Sequence, residues 1–264
     1  MKHTYLTLLA FAFLPHMAFA QGVLPTTGFD SEEETQKEKE KQEVPDWVIE
    51  LSNLAEEERN TYLNAFQAAK IAYASNRLAI CESHLNTCEL YFTKNPNVWL
   101  LRASVCINLG QYDKAKEYID KVSQVDPDNK VIKLNLSLLH MAEGNYEMAI
   151  SETDELLRQF DVSAETFGTR RSLTFRKFLC LLMLERKAEA KELIAPITPL
   201  DDSPLYYYAQ AALRMYDGSP TAATRELNTA DTIFAKDGHL PSYKQNLILS
   251  GLKEKMRSKQ ASSE

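Results

Sequence analysis

Glycine and proline are scarce in this sequence, with 8 and 10 residues among 264, whereas leucine and alanine are abundant. Such a composition favours helices over sheets. Histidine is scarcer still, and only His84, His140 and His239 follow residue 20. None of these three belongs to an HExxH motif or to a Cys/His metal pattern, so they are interpreted as packed or boundary residues.

Motifs that carry chemistry are also missing. The chain has no GxGxxG, GxxxxGK[ST] or GxSxG segment, the patterns that hold dinucleotides, nucleotide phosphates and nucleophilic serines. Two acid clusters, 56–58 and 201–202, stand where helices are expected to begin, and acids there complement the helix dipole or cap the helix. The sequence therefore predicts no catalytic residue, no cofactor and no metal site.

Positive charge is in the minority, since 30 Lys and Arg face 37 Asp and Glu for a net charge of −7. Non-specific binding to nucleic acid requires clustered Lys and Arg, so no nucleic-acid partner is predicted. No segment after residue 20 is apolar enough to span a membrane.

The first 20 residues have the pattern of a secretory signal peptide. Lys2 supplies a short basic region, an apolar stretch runs from Tyr5 to Leu14, and Ala18-Phe19-Ala20 precedes an expected cleavage before Gln21. The apolar stretch is shorter than the roughly 20 residues of a spanning helix. The chain is therefore expected to be exported, with the bacterial periplasm as its compartment and secretion as the alternative.

The rest of the chain divides by composition. Residues 21–45 have few apolar side chains and dense mixed charge, which predicts a disordered linker. The helical domain is expected over 46–256, and residues 257–264 are expected to form a frayed tail.

Four cysteines follow the predicted signal peptide: Cys81, Cys88, Cys106 and Cys180. Cys81 and Cys88 are predicted to share a helix and to lie about 10.5 Å apart along its axis, which is too far for a bridge. Cys88 and Cys106 lie on consecutive predicted helices and form the one pair whose geometry allows a disulfide. The alternative is that all four are reduced thiols packed as small apolar residues.

A repeat runs through the middle of the sequence, because Gly110, Tyr112 and Ala115 recur with the same spacing 34 residues later. Glycine at a turn accepts a positive φ, the aromatic fills the wedge between two helices, and alanine allows their close approach. Pro127, after the second helix, cannot continue it. A period of 34 with two helices per unit resembles the tetratricopeptide-repeat family.

This resemblance covers about residues 53–256 and implies an all-α fold, a right-handed superhelical solenoid of antiparallel helix pairs. Units are expected near 62–95, 96–129, 130–160, 171–203 and 204–235, with a helix over 241–256 capping the open end. Two features depart from the pattern. About seven extra residues precede the fourth unit, so either the stack bends there or the third unit has a longer second helix. Glu185 replaces the fourth turn's glycine, so the resemblance does not fix that turn's geometry.

In this family the first helix of each unit lines a concave groove. The resemblance therefore implies a partner-binding groove whose residues are mostly apolar: Phe66, Tyr73, Leu100, Ile107, Asn108, Leu134, Leu138, Met141, Phe175, Leu179, Tyr208 and Met215. The alternative is that several of them pack against neighbouring first helices or the N-terminal segment and leave a partly filled groove. A clamp for a C-terminal carboxylate is not expected, because Lys70 has few fitting partners on the next helices.

The resemblance implies a non-enzymatic scaffold or adaptor that binds a peptide or helix of another protein in this apolar groove. The second hypothesis is a self-assembling structural or envelope-assembly component that uses the same surfaces to form homo-oligomers.

Overall fold

The computed structural model describes residues 44–261. The predicted signal peptide and residues 21–43 of the predicted linker lie outside this range. The chain separates into two compact units, one ending at Leu54 and the other beginning at Ala55. In the first unit the described helix is α1 (Asp46–Ser52).

The second unit contains five antiparallel helix pairs, which we call hairpins. In the hairpins of α2 and α8 the first helix is the longer one. The bounds are α2 (Glu56–Ala74) with α3 (Leu78–Tyr91), α4 (Pro96–Asn108) with α5 (Tyr112–Val125), α6 (Lys130–Ala142) with α7 (Tyr146–Gln159), α8 (Ala164–Met183) with α9 (Lys187–Ile194), and α10 (Leu205–Tyr216) with α11 (Pro220–Ile233). In three of the five hairpins, those of α4, α6 and α10, the second helix is slightly longer than the first.

The hairpins stack through their first helices, with α2 on α4, α4 on α6 and α8 on α10. Alanines occupy the points of close approach, and Ala69, Ala103, Ala115 and Ala149 are completely buried. A larger side chain at these points would have to push two helix backbones apart. The surface formed by α2, α4, α6, α8 and α10 is called the inner face below.

All five hairpin turns share one backbone conformation. The turn residues Asn76, Gly110, Gly144, Glu185 and Gly218 all have positive φ, between 54° and 83°. In each turn the next residue donates its N–H to a carbonyl five residues back, as Gln111 does to Cys106 at 2.8 Å and Arg186 to Leu181 at 2.9 Å. The fourth turn therefore has the same geometry as the others, although it lacks glycine.

The extra residues before the fourth hairpin lengthen its first helix. Helix α7 ends at Gln159, so the expectation of a longer second helix in the third unit is wrong. Instead α8 has 20 residues and begins with a capping box, in which the Ser163 side chain accepts from the Thr166 N–H. The inserted residues are therefore two additional turns at the start of α8.

The C-terminal segment comprises α12 (Leu240–Leu249) and α13 (Leu252–Ala261). One capping helix was predicted over 241–256, and the structure corrects this in three ways. Gly251, with φ of +71°, separates two helices. Helix α13 continues past residue 256 into the predicted tail. Helix α12 packs against α6, α8 and α10, so it lies on the inner face rather than at the end of the stack.

The shared turn geometry predicts opposite changes in the free energy of unfolding for two substitutions. Gly110→Ala should lower the free energy of unfolding by about 1–2 kcal/mol, the cost of a left-handed residue with a Cβ. An added Cβ meets no atom within 4 Å there, so this cost comes from the backbone alone. Glu185→Gly should raise stability by up to about 1 kcal/mol, since it relieves the same strain at some cost in chain entropy.

Urea unfolding followed by circular dichroism measures both changes. Glu185 also lies 3.3 Å from Lys255, but an exposed ion pair contributes little. A Glu185→Gly variant less stable than the parent would contradict the strain argument.

Candidate functional site

The site centres on the aromatic contacts between α12 and the inner face. The Tyr243 ring of α12 lies 5.4 Å from Phe175 of α8 and 5.4 Å from Tyr208 of α10, measured between ring centroids. Phe175 and Tyr208 meet edge to face at 5.7 Å. All three side chains are buried, so α12 is bound by an apolar contact that also joins two hairpins.

Hydrogen bonds between polar side chains fix the position of α12 beside this aromatic cluster. Asn246 accepts a hydrogen bond from Arg176 Nε at 3.1 Å and donates to the Ser172 carbonyl at 3.3 Å. The hydroxyls of Ser172 and Ser242 lie 2.7 Å apart. Because Asn246 follows Tyr243 by three residues and Ser242 by four, one face of α12 carries both the aromatic and the polar contacts.

Arg176 is the principal charged group of this site. Its Nη1 donates to the Leu134 carbonyl at 3.0 Å and to the Ser137 hydroxyl, so α6, α8 and α12 all meet at the guanidinium. Every one of these acceptors is neutral. Among the described residues no carboxylate lies within ion-pair distance of Arg176, although the side chain is only 7% exposed.

Burial lowers the pKa of the Arg176 guanidinium to about 10. The group therefore remains protonated at neutral pH, and its positive charge is held in a poorly solvated place without a counter-ion in contact. Glu152, a carboxylate whose charge acts on Arg176 without contacting it, is itself paired with His140, whose Nδ1 lies 3.0 Å from Glu152 Oε2. A buried charge without a paired partner is unfavourable.

Further contacts hold the C-terminal segment along the inner face. Gln245 donates to the Tyr73 hydroxyl of α2, which also accepts from Asn108 of α4 at 3.1 Å. The Tyr146 hydroxyl donates to the Ser250 carbonyl at 3.2 Å. The C-terminal segment is therefore held by residues from the first, third and fourth hairpins as well as from α10.

The additional turns of α8 pack against the start of α12. Gly168 lies within α8, where glycine costs about 1 kcal/mol relative to alanine. A Cβ at this position would lie 2.1 Å from Cδ2 of His239, the residue that precedes α12. His239 was interpreted as an ordinary boundary residue; instead its ring packs directly on the α8 backbone.

The predicted groove residues are not an open surface in the structure. Seven of the twelve are buried: Leu100, Ile107, Leu138, Met141, Phe175, Leu179 and Tyr208. The other five are partly buried: Phe66, Tyr73, Asn108, Leu134 and Met215. Packing between neighbouring first helices and the presence of α12 explain this burial.

Several site residues were missed by sequence reasoning. They are Gly168, Ser172, Arg176, His239, Tyr243, Gln245 and Asn246. Two of them did carry a signal in the sequence. Gly168 interrupts a segment that is otherwise suited to a helix, and Arg176 interrupts the largely apolar segment 173–184.

The cysteines form no disulfide among the described residues. Cys81, Cys88, Cys106 and Cys180 are all buried and free, so the alternative of reduced, packed thiols describes them. Burial raises the pKa of Cys81 to about 11 and those of Cys88 and Cys180 to about 12. These thiols therefore lack the thiolate character that a reactive cysteine needs.

Residues 44–261 contain no group of three or more His, Cys, Asp or Glu side chains placed to hold a metal ion. In the same range no helix is both long enough and apolar enough to cross a membrane.

The stacked hairpins, their common left-handed turns and the alanines at the close contacts define an all-α helical-repeat solenoid. Residues 107–165 match the tetratricopeptide-repeat family. The match runs from the end of α4 to the start of α8 and includes the two hairpin turns with Gly110 and Gly144. This part of the chain is therefore similar to tetratricopeptide repeats, and such repeats generally mediate protein–protein interactions.

Two other comparisons returned nothing: no curated protein matches the chain, and no solved structure matches it.

The contact between Gly168 and His239 predicts a rescue by a second substitution. Gly168→Ala alone should lower the free energy of unfolding by about 1–3 kcal/mol, because the new methyl group overlaps the imidazole ring. In a His239→Ala background the same change should instead stabilise by up to about 1 kcal/mol, since alanine favours the helix. Urea unfolding of the four proteins in this cycle measures the coupling. Equal effects of Gly168→Ala in both backgrounds would contradict the contact.

The buried thiols predict slow labelling of the native protein. With a thiol reagent at mildly alkaline pH, all four cysteines should react only as fast as the protein unfolds, because burial suppresses both access and thiolate formation. Absorbance of the released chromophore measures the rate, and the urea-unfolded protein, which should react at once at four sites, is the control. One rapidly reacting thiol in the native protein would contradict the burial of that cysteine.

Proposed function

We propose that this protein is an exported, non-enzymatic adaptor that binds a helical segment of another protein on its inner face. The observation that supports this most is that an α-helix already lies there. Helix α12 packs across α6, α8 and α10 and is held by aromatic contacts and by side-chain hydrogen bonds. The inner face is therefore suited in shape and chemistry to an amphipathic helix.

The apolar part of the inner face supplies affinity and the polar part supplies register. Phe175 and Tyr208 surround one aromatic side chain of the bound helix, and large aromatic contacts of this kind dominate binding energy. Arg176 and Ser172 reach a polar side chain one turn further along. A helix shifted by one residue would lose both contacts together.

The proposal of export rests on the N-terminal pattern alone. A periplasmic location fits residues 1–20, in which a basic residue, an apolar stretch and a small-residue ending succeed one another. A role in assembling or maintaining the cell envelope accords with an exported adaptor.

A self-assembling form is the second candidate, and one observation favours it. Helix α12 follows α11 after a short connection, residues 234–239. A second copy of the chain could therefore donate its own α12 to the inner face, which is the exchange of identical elements seen in domain swapping. Light scattering tests this directly, since a monomeric mass at every concentration would exclude it.

Photocrosslinking in cells tests the adaptor proposal. A photoreactive residue in place of Leu134, which is partly buried on the inner face, should give an adduct with one partner of discrete mass. Met148 on α7 is 53% exposed and serves as the matched control position, where that adduct should be absent. The same adduct from both positions, or none from position 134, would contradict binding at the inner face.

Export has its own measurement. The protein recovered from the envelope or the medium should have the mass of a chain that begins at Gln21, because the signal peptide is cleaved during translocation. An intact N-terminus in the cytoplasmic fraction would exclude export.

A further inference from the structure

We propose that α12 is the resident ligand of the inner face, and that the partner helix which replaces it presents a carboxylate to Arg176. This inference rests on the proposed adaptor function and specifies the chemistry of its partner. The partner segment is an amphipathic helix with an aromatic residue and, three residues later, Asp or Glu.

The first step concerns the unmet charge of Arg176. Its three hydrogen-bond acceptors are the Asn246 amide oxygen, the Leu134 carbonyl and the Ser137 hydroxyl, none of which is charged. Its second amino group, Nη2, has no hydrogen-bond partner in the part of the chain that the structure describes. A carboxylate in the place of the Asn246 amide would supply two acceptor oxygens and a counter-charge, which planar guanidinium binds better than a neutral amide.

The second step concerns the geometry of α12 as a ligand. Tyr243 and Asn246 are three residues apart, and both are fully buried against the inner face. On the opposite side of the helix, Ile248 is 64% exposed and Lys244 is exposed as well. Helix α12 thus has one recognition face and one solvent face, as a docked helical peptide does.

The third step concerns exchange. Helix α12 has only ten residues, and helices of that length are marginal in water without packing, so its structure depends on the inner face. Its covalent connection to α11 gives it an effective concentration of about a millimolar or more, which a free helix has to overcome. A partner helix with the same apolar contacts but no added interaction would fail to compete. The ion pair with Arg176 supplies the difference that favours the partner.

An α12 donated by a second copy of this chain is the other source of such a helix. That helix carries Asn246, so it would bind without preference for an acid. The two occupants therefore differ in a measurable property.

The experiment uses labelled peptides of residues 237–258 and the full chain. Fluorescence anisotropy compares the native peptide with an Asn246→Asp peptide and with an Ile248→Asp peptide, which has the same charge on the solvent face. The Asn246→Asp peptide should bind about tenfold more tightly than either of the others, the factor that one charge-assisted hydrogen bond supplies. Arg176→Gln in the chain should remove this preference, and Arg176→Lys should retain part of it.

A second set of variants tests whether α12 occupies the same surface. Tyr243→Ala in the chain should tighten binding of the Asn246→Asp peptide while lowering thermal stability, because it weakens the resident helix. Ile248→Ala, on the solvent face of the same helix, should change neither. Circular dichroism of each variant verifies that the helical fold is retained, and the Tyr243→Ala result keeps the proposal testable if Arg176→Gln fails to fold.

Three outcomes would overturn the inference. Equal binding of the native and Asn246→Asp peptides would exclude recognition of an acid and would indicate exchange between copies of this chain. Equal binding of the two Asp peptides would reduce the effect to overall charge. No binding to the Tyr243→Ala chain would make α12 a permanent part of the fold; the crosslinking from position 134 could still succeed in that case, so the adaptor proposal would fail only by its own test.

Discussion

The packing of α12 on α8 is the contact on which the arrangement of the inner face depends. Phe175, Tyr208 and Tyr243 form one cluster contributed by three helices. Arg176 of α8 reaches the Leu134 carbonyl of α6 and so joins the first helices of the third and fourth hairpins. Without α12 the aromatic cluster would be open to water and Arg176 would lose the amide of Asn246. The last elements of the chain therefore complete the contacts between hairpins that precede them.

Local pattern predicted the hairpins because their determinants are local. A turn residue that accepts positive φ, alanines at close contacts and a period of 34 all act within one unit or between neighbours. Even Glu185 obeys this rule, since two neighbouring helices fix the turn and override the residue's preference. The repeat pattern reported which helices pair, and the structure agrees with it through all five hairpins.

The occupant of the inner face was not predictable in the same way. The bond from Gln245 to Tyr73 spans 172 residues, and that from Arg176 to Asn246 spans 70. No periodicity relates such positions, and α12 carries none of the repeat's residues. The seven residues before the fourth hairpin were recognised as an insertion, but their role became clear only when Gly168 was found beneath His239. The positions that depart from the repeat pattern thus lie at contacts between residues distant in sequence, which a local repeat cannot predict.

The distance in sequence between Tyr73 and Gln245 has a consequence for the order of folding. Chains are synthesised from the N-terminus, and local hairpins form before contacts of long sequence separation. The first hairpins can therefore assemble early, while the apolar inner face stays uncovered until residues 240–249 emerge. A product cut short before residue 240 would keep most of its helices yet expose Phe175 and Tyr208. Synthesis through α12 is thus a condition for covering the surface that chaperones and proteases recognise.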